Sequence, residues 1–300
     1  MHIPVLLDEV LEYLDPKPGQ KFIDATIGGG GHAMALLERI APDGKLLGIE
    51  WDSGLLKILK FKIENLKLSQ NIILANGSYV NLKKIAEEND FAEVNGAFFD
   101  LGLSSWHLEE SGRGFSFQKD EPLDMRFAVS SGGQTAEEIV NRCSYDDLVA
   151  ILKEYGEERF AKPIAAGITK ARKEKSIKST FELIEIIKNS VPSWYRRGRL
   201  HYATRTFQAL RITVNKELEN VQAGLSQALR VLVSGGRLAV ISFHSLEDRI
   251  VKNFFKEQAR AGELLIITKK PISASLAEAT ANPRARSAKL RVAEKLGVSF

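Results

Sequence analysis

Lys21-Phe-Ile-Asp-Ala-Thr-Ile-Gly-Gly-Gly-Gly-His32, followed by Leu46-Leu-Gly-Ile-Glu50, decides the fold of this chain. A short apolar strand over 22–25 runs straight into a turn made only of glycine. A helix starts at about His32, and the next strand ends on an acid, Glu50. Glycines between strand and helix let a ligand approach the backbone closely, and an acid at the following strand end can grip a ribose diol. The arrangement predicts a nucleotide-type cofactor pocket in preference to a plain loop. It does not predict a dehydrogenase, because Gly28 to Gly31 are consecutive and His32 comes next, which departs from Gly-x-Gly-x-x-Gly spacing.

Outward from this stretch the chain alternates. Strand patterns over 22–25, 45–51, 71–75 and 94–101 are separated by helical patterns over 33–40, 55–66 and 80–88. Such alternation builds a mostly parallel sheet with helices on both faces. From 105 to 203 no strand pattern is found. That region has loops over 111–117 and 130–133, helical patterns over 135–142, 145–155, 157–172 and 180–189, and a basic linker over 192–201. The sheet rhythm then returns with one long helix over 206–232 and a strand over 235–242. A helix over 246–261 and strands over 264–268 and 289–293 complete the chain. The prediction is an α/β, Rossmann-like domain over 1–105 and 206–300, with an all-helical substrate-recognition subdomain inserted over 106–205.

Three hundred residues that are 44% hydrophobic can bury a sizeable core. The single cysteine, Cys143, excludes a disulfide framework and fits a reducing compartment. Asp8 and Glu9 stand where a signal peptide would continue its apolar run, and no stretch is apolar enough to span a membrane. A cytoplasmic protein with no membrane partner is expected. The histidines form no close pair, so no metal site is expected, and no Gly-x-Ser-x-Gly elbow points to hydrolase chemistry. A net charge of +4 is mild, so the distribution of charge matters more than its sum.

Glu50 is the candidate ribose acid, with Asp52 as a competitor two residues on. Asp24 could bond the glycine turn or the amino end of a ligand. Asp100 ends the fourth strand, where it is either a hydrogen-bond acceptor beside a cofactor's reactive end or a helix-capping acid. Ser245 reads as the N-cap of the next helix, with Asp248 three residues on. Basic residues cluster at Arg196-Arg-Gly-Arg-Leu-His201, at Arg284, Arg286, Lys289 and Arg291, and at Lys170 to Lys178. Trp194, Tyr195 and Tyr202 lie beside the first cluster, and cations with rings are what RNA contact requires. The third cluster reads as an exposed helix face.

The chain resembles the bacterial S-adenosylmethionine-dependent methyltransferases that modify N4 of a cytidine in the decoding region of small-subunit (16S) ribosomal RNA. The resemblance runs nearly end to end. It rests on His2-Ile-Pro-Val-Leu-Leu-Asp-Glu-Val10, Asp24 to His32, Asp100-Leu-Gly-Leu-Ser-Ser105, Arg113-Gly-Phe-Ser-Phe117 and Pro122-Leu-Asp-Met-Arg126. It continues through Tyr155-Gly-Glu-Glu-Arg-Phe-Ala161, Ala203-Thr-Arg-Thr-Phe-Gln-Ala-Leu-Arg-Ile212, Ile241-Ser-Phe-His-Ser-Leu-Glu-Asp-Arg249 and Asn282-Pro-Arg-Ala-Arg-Ser287. It implies a class I methyltransferase sheet and S-adenosyl-L-methionine as cofactor, held at Gly30, Gly31, His32, Glu50, Tyr79, Asp100 and His107. Glu50 stands where Asp is usual, Tyr79 where Phe is common and His107 where Gln is usual. The implied partner is small ribosomal subunit RNA, and a homodimer is compatible with the resemblance. In that chemistry Asp100 is the first choice to accept the amine hydrogen, with Ser104 nearby and Asp124 as second candidate. Arg113, Phe115, Arg126, Arg205 and Arg211 are expected at the RNA. The rival readings are a class I methyltransferase for another substrate and a non-catalytic ribosome-assembly factor that binds RNA.

Overall fold

The computed structural model describes residues 4–64, 69–129 and 132–297. Residues 65 and 66 of the expected 55–66 helix, residues 130 and 131 of the expected loop, and His2 and Ile3 of the first family block lie outside these.

Five strands run parallel: Lys21–Asp24 (β1), Lys45–Glu50 (β2), Ile72–Asn76 (β3), Val94–Asp100 (β4) and Leu232–Ser242 (β5). Leu264–Ile266 (β6) and Lys289–Lys295 (β7) close the sheet, with β7 antiparallel to both β5 and β6. Among the described residues the order is β3-β2-β1-β4-β5-β7-β6. The inner strands are buried on both faces, as apolar parallel strands between helix layers must be, and successive side chains sort to opposite layers. Phe22, Leu46, Phe98 and Ile241 share one core with Leu36, Leu37 and Ile40 of the helix Gly31–Ile40. Ile23, Leu47, Phe99 and Val240 share the other with Val221 and Leu225, and with Val251, Phe254 and Phe255 of the helix Ser245–Arg260. This is the expected α/β, Rossmann-like architecture.

The chain divides into two compact units, Met1–Gly102 with Leu218–Phe300, and Leu103–Glu217. The second unit is helical, with a core that includes Ile139, Leu148, Ile164, Ile168, Leu183 and Leu210. Its helices start where the sequence supplies capping boxes: Thr135 with Glu138, Ser144 with Asp147, and Ser179 with Glu182. Each box satisfies two of the backbone donors that a helix start leaves open.

Three expectations need correction. The single helix over 206–232 is two, Thr204–Asn215 and Glu217–Val231, broken at Lys216, whose φ is 50°. The return to the sheet unit therefore lies at this break rather than at 205. Val214-Asn-Lys-Glu217 carries no glycine or proline to announce the break. A non-glycine residue in the left-handed region costs about 1–2 kcal/mol, and Asn215 supplies the compensation. Its Nδ2 donates to the Met125 carbonyl at 2.7 Å, and its Oδ1 accepts from the Phe127 N–H at 2.9 Å. The helix expected from 157 begins at Ala161, because Glu157, at φ 47°, turns the chain first. The helix Leu7–Leu14 was not foreseen.

Candidate active site

The chain leaves β1 for β2 and β3 on one side, then returns to β4 on the other. A crevice therefore opens beyond the carboxyl ends of β1 and β4, the usual ligand position of an open α/β sheet. Asp24, Glu50 and Asp100 end β1, β2 and β4. Thr26 joins two of them, a role not read from the sequence. Its N–H donates to Asp24 Oδ1 at 3.1 Å, and its Oγ1 accepts from the Asp100 N–H at 2.6 Å. The glycine turn is fixed to the third acid, since the Gly28 N–H donates to Glu50 Oε2 at 3.2 Å. Gly28 and Gly30 have φ of 50° and 82°, a region that disfavours any side chain. A methyl added at Gly29 would meet nothing within 4 Å, so the turn's backbone borders open space.

Burial above all, with the charges of Asp100 and Glu50 and against the Thr26 hydrogen bond, pushes the Asp24 carboxyl up to about 8. Burial likewise lifts Glu50 to about 7, although its oxygens accept from the backbone of Asp52 at 2.8 Å and of Gly28. Three acids on one crevice make an environment that favours a cation. Asp52, the alternative acid two residues on, caps the helix Ser53–Ile63: its Oδ1 accepts from the Gly54 and Leu55 N–H groups at 2.8 and 3.2 Å.

His32, in the first turn of the helix Gly31–Ile40, is buried beside Phe98, with ring centroids 4.6 Å apart. Its Nε2 lies 2.9 Å from the Val5 carbonyl. A carbonyl only accepts, so Nε2 carries the hydrogen and Nδ1 faces Asp100 Oδ2 at 3.7 Å. Tyr79 lies just past the end of β3, its ring edge-on to Phe99 at 5.6 Å. A methyl on Gly224 would come within 2.5 Å of Tyr79 Cδ2, so the missing side chain at Gly224 makes room for the ring. The first unit thus brings together Gly30, Gly31, His32, Glu50, Tyr79 and Asp100.

The model of the MraW methylase family matches residues 1–296. The chain belongs to the MraW methylase family. It is a methyltransferase that uses S-adenosylmethionine as methyl donor. It is 44% identical over 310 residues to the ribosomal RNA small subunit methyltransferase H of Syntrophotalea carbinolica, covering 98% of each chain. It is 46% identical over 295 residues to the protein of that name from Persephonella marina, covering 98% of this chain and 99% of the relative. A Clostridium thermocellum protein described as an rRNA methylase shares the fold at a TM-score of 0.50 and 14% identity, covering 99% of this chain and all of its own.

The methylase's other expected site residues lie in the second unit, where most have intramolecular work. Ser104 caps the helix Ser105–Glu109, and its Oγ lies 2.7 Å from His107 Nδ1. His107 is buried among Trp106, Phe115 and Phe127, at centroid distances of 5.4, 5.2 and 5.1 Å. Asp124 holds Arg126 by two side-chain bonds, at 2.8 and 2.7 Å. Burial raises the Asp124 carboxyl, but Arg126 outweighs it and holds it below the usual range. Phe115 is buried and stacked on Phe127, so it offers no face for a base. Arg113 donates to the carbonyls of Arg126 and Phe127 at 2.7 and 3.0 Å. Arg211 grips Glu217 with two bonds of 2.8 Å, and Arg205 donates to the Glu157 carbonyl. These bonds hold the subdomain together.

Two further expectations change. The helix Ser245–Arg260 is capped by His244 with Glu247, not by Ser245 with Asp248. Asp248 instead pairs with Arg291 at 2.7 Å and Lys289 at 3.3 Å, so the second basic cluster is partly spent within the fold. Among the described residues no helix is long and apolar enough to cross a membrane.

Proposed function

We propose that this methyltransferase transfers the methyl group of S-adenosylmethionine to N4 of a cytidine in the decoding region of small-subunit ribosomal RNA. The observation that carries the reading is the set of three acids, Asp24, Glu50 and Asp100, around a glycine turn at the switch point of the sheet. This donor set fits the cofactor. Burial holds both Asp24 and Glu50 in raised states, with the charges of Asp100 and Glu50 adding at Asp24 and that of Asp52 at Glu50, and a ligand with cationic groups relieves them. The open backbone at Gly29 leaves the turn accessible.

Glu50 would accept from the ribose hydroxyls, the backbone of Gly30, Gly31 and His32 would line the methionine end, and Tyr79 would cover the adenine. When bound, S-adenosylmethionine supplies an electrophilic methyl on a sulfonium. The remaining work is positional. Cytosine N4 is a poor nucleophile because its lone pair is delocalised into the ring. The Asp100 carboxylate accepts one N4–H, localises that lone pair and takes the proton that N4 must lose. His32 lies beside Asp100, at the end away from the Val5 carbonyl. The target base must be unstacked to enter the crevice. The helical unit supplies the RNA-facing surface, with Arg113, Phe115, Arg126, Arg205 and Arg211 shaping it from within. Asp124 serves the same architecture rather than the proton. A ribosomal substrate also makes the cytoplasm the site of action.

The test incubates the protein with labelled S-adenosylmethionine and unmodified small subunits, then digests the RNA to nucleosides. Label in N4-methylcytidine is the expected result. Label in another nucleoside would overturn the target, and no label despite cofactor binding would overturn the transfer.

A further inference from the structure

Trp194, on the short helix Ser193–Arg196, is 58% exposed. A Trp ring, apolar over its body with one polar handle, belongs to the residue types enriched at interfaces. This ring is not a loose one. The Arg159 guanidinium sits 5.3 Å from its centroid, and Phe160 and Tyr195 meet it edge-on at 5.7 and 6.0 Å. Beneath them lies a buried polar anchor. The Tyr195 hydroxyl donates to the Glu158 carboxylate, 3.0 and 2.8 Å from its two oxygens, and Glu158 is 2% exposed. Glu158 also accepts from the Phe160 N–H at 2.8 Å. The helix Thr204–Asn215 steadies the same turn, since Arg205 donates to the Glu157 carbonyl and Gln208 to the Tyr155 carbonyl.

The far end of the segment is pinned as well. His201 stacks on Phe117 at 4.5 Å and contacts Tyr202 at 4.2 Å. Between Tyr195 and His201 the chain turns through Arg197 and Gly198, whose N–H groups donate to the carbonyls of Trp194 and Tyr195 at 3.3 and 3.2 Å. Arg197 and Arg199 are exposed, and among the described residues their side chains form no hydrogen bond or ion pair. A solvated charge run explains neither the exposed indole nor the framework that fixes it.

We propose that Trp194, with Arg159, Arg197 and Arg199, forms a stacking platform for a single-stranded segment of the RNA substrate. A fixed, exposed ring stacks any base, a guanidinium beside it adds cation–π attraction, and nearby arginines neutralise phosphates. The platform rests on the proposed RNA substrate, and it recognises unpaired RNA by stacking and charge rather than by sequence.

The experiment measures binding of a fluorescent single-stranded oligoribonucleotide by anisotropy, over a salt series, for the full chain and three variants. Methyl transfer to small subunits is measured in parallel. Trp194→Ala should weaken oligonucleotide binding on the order of tenfold, and Trp194→Phe, which keeps a ring, should restore most of it. The double variant Arg197→Gln/Arg199→Gln should reduce the slope of log affinity against log salt by about 1.4, two phosphate contacts on a single strand. On subunits, Trp194→Ala should raise KM and leave kcat in place. Unchanged oligonucleotide affinity in Trp194→Ala, with an unchanged slope in the arginine variant, would overturn the platform. Loss of subunit binding with oligonucleotide binding intact would assign the surface to a ribosomal protein and overturn it equally. If Trp194→Ala does not fold, Trp194→Phe and the arginine pair carry the test through the salt slope. A wild-type protein that binds the oligonucleotide through Trp194 but methylates no subunit would fail the proposed function and leave the platform standing.

Discussion

Glu50→Gln is the most informative single change in the proposed cofactor crevice. Glu50 is 8% exposed, and its two oxygens accept from the N–H groups of Gly28 and Asp52 at 3.2 and 2.8 Å. A carboxyl can accept at both oxygens whether neutral or ionised. A carboxamide accepts at one and turns an NH2 towards the other donor, at a cost of about 1–3 kcal/mol for the buried group left unmatched. The opposing effect is charge. Burial raises the Glu50 carboxyl from its ordinary 4.5 to about 7. The folded state thus prefers the neutral acid, so this contribution is fully present below about pH 4.5 and is lost as pH rises through about 7. At about 1.4 kcal/mol per tenfold change in proton affinity, the loss is on the order of 3 kcal/mol. Glutamine does not titrate. Without cofactor, the variant should be the less stable protein at about pH 5, and the gap should close or reverse by about pH 8.5, a swing on the order of 2–3 kcal/mol. Urea unfolding of both proteins at the two pH values reads this directly. A gap of constant size would refute the account of Glu50 as a buried acid held by two backbone donors. Cofactor titration at the higher pH should show affinity lowered about tenfold or more, one charge-assisted hydrogen-bond site having been lost.

Asp100→Asn should bind S-adenosylmethionine and lose turnover by about a hundredfold or more, since the amide is a far weaker acceptor of the amine proton; full turnover in calorimetrically loaded protein would sink that role. Asp24 is raised in the fold to about 8, so cofactor-free wild type should lose stability as pH climbs from about 4 to about 8. Asp24→Asn should flatten this fall, and a melting-temperature profile parallel to wild type would contradict it. Gly224→Ala would bring a methyl within 2.5 Å of Tyr79 Cδ2. The ring must then move, and cofactor affinity should fall about tenfold for a loss of roughly 1 kcal/mol or more of packing and stacking, which isothermal titration would detect or deny.

Much of the site was legible because it is written in contiguous, chemically unusual residues. A glycine run after an apolar strand, and acids at the ends of the next strands, can serve few structures other than a ligand crevice at a switch point. The residues that complete the crevice were not legible, because their roles depend on distant neighbours. Thr26 matters through Asp100, His32 through the Val5 carbonyl, and Gly224 through Tyr79. Nothing local in the sequence announces those pairings. The internal partners of the arginines were hidden for the same reason. Arg113, Arg126 and Arg211 look like RNA contacts in a basic chain, yet each finds a carbonyl or carboxylate within its own subdomain.

The sequence by itself determined the layer architecture, since short continuous apolar strands and the strand–helix rhythm leave a doubly covered sheet as the economical way to hide those apolar faces. It also determined the glycine turn and the acids at the strand ends, because these take their places through backbone geometry that neighbouring residues impose. Tertiary structure alone decided which charges remain available. The three cations around Trp194 look no different in sequence from those paired with Glu217 or Asp248. An arginine's function is set by whether a buried acceptor comes within about 3 Å of it, and only the folded chain brings acceptors that near.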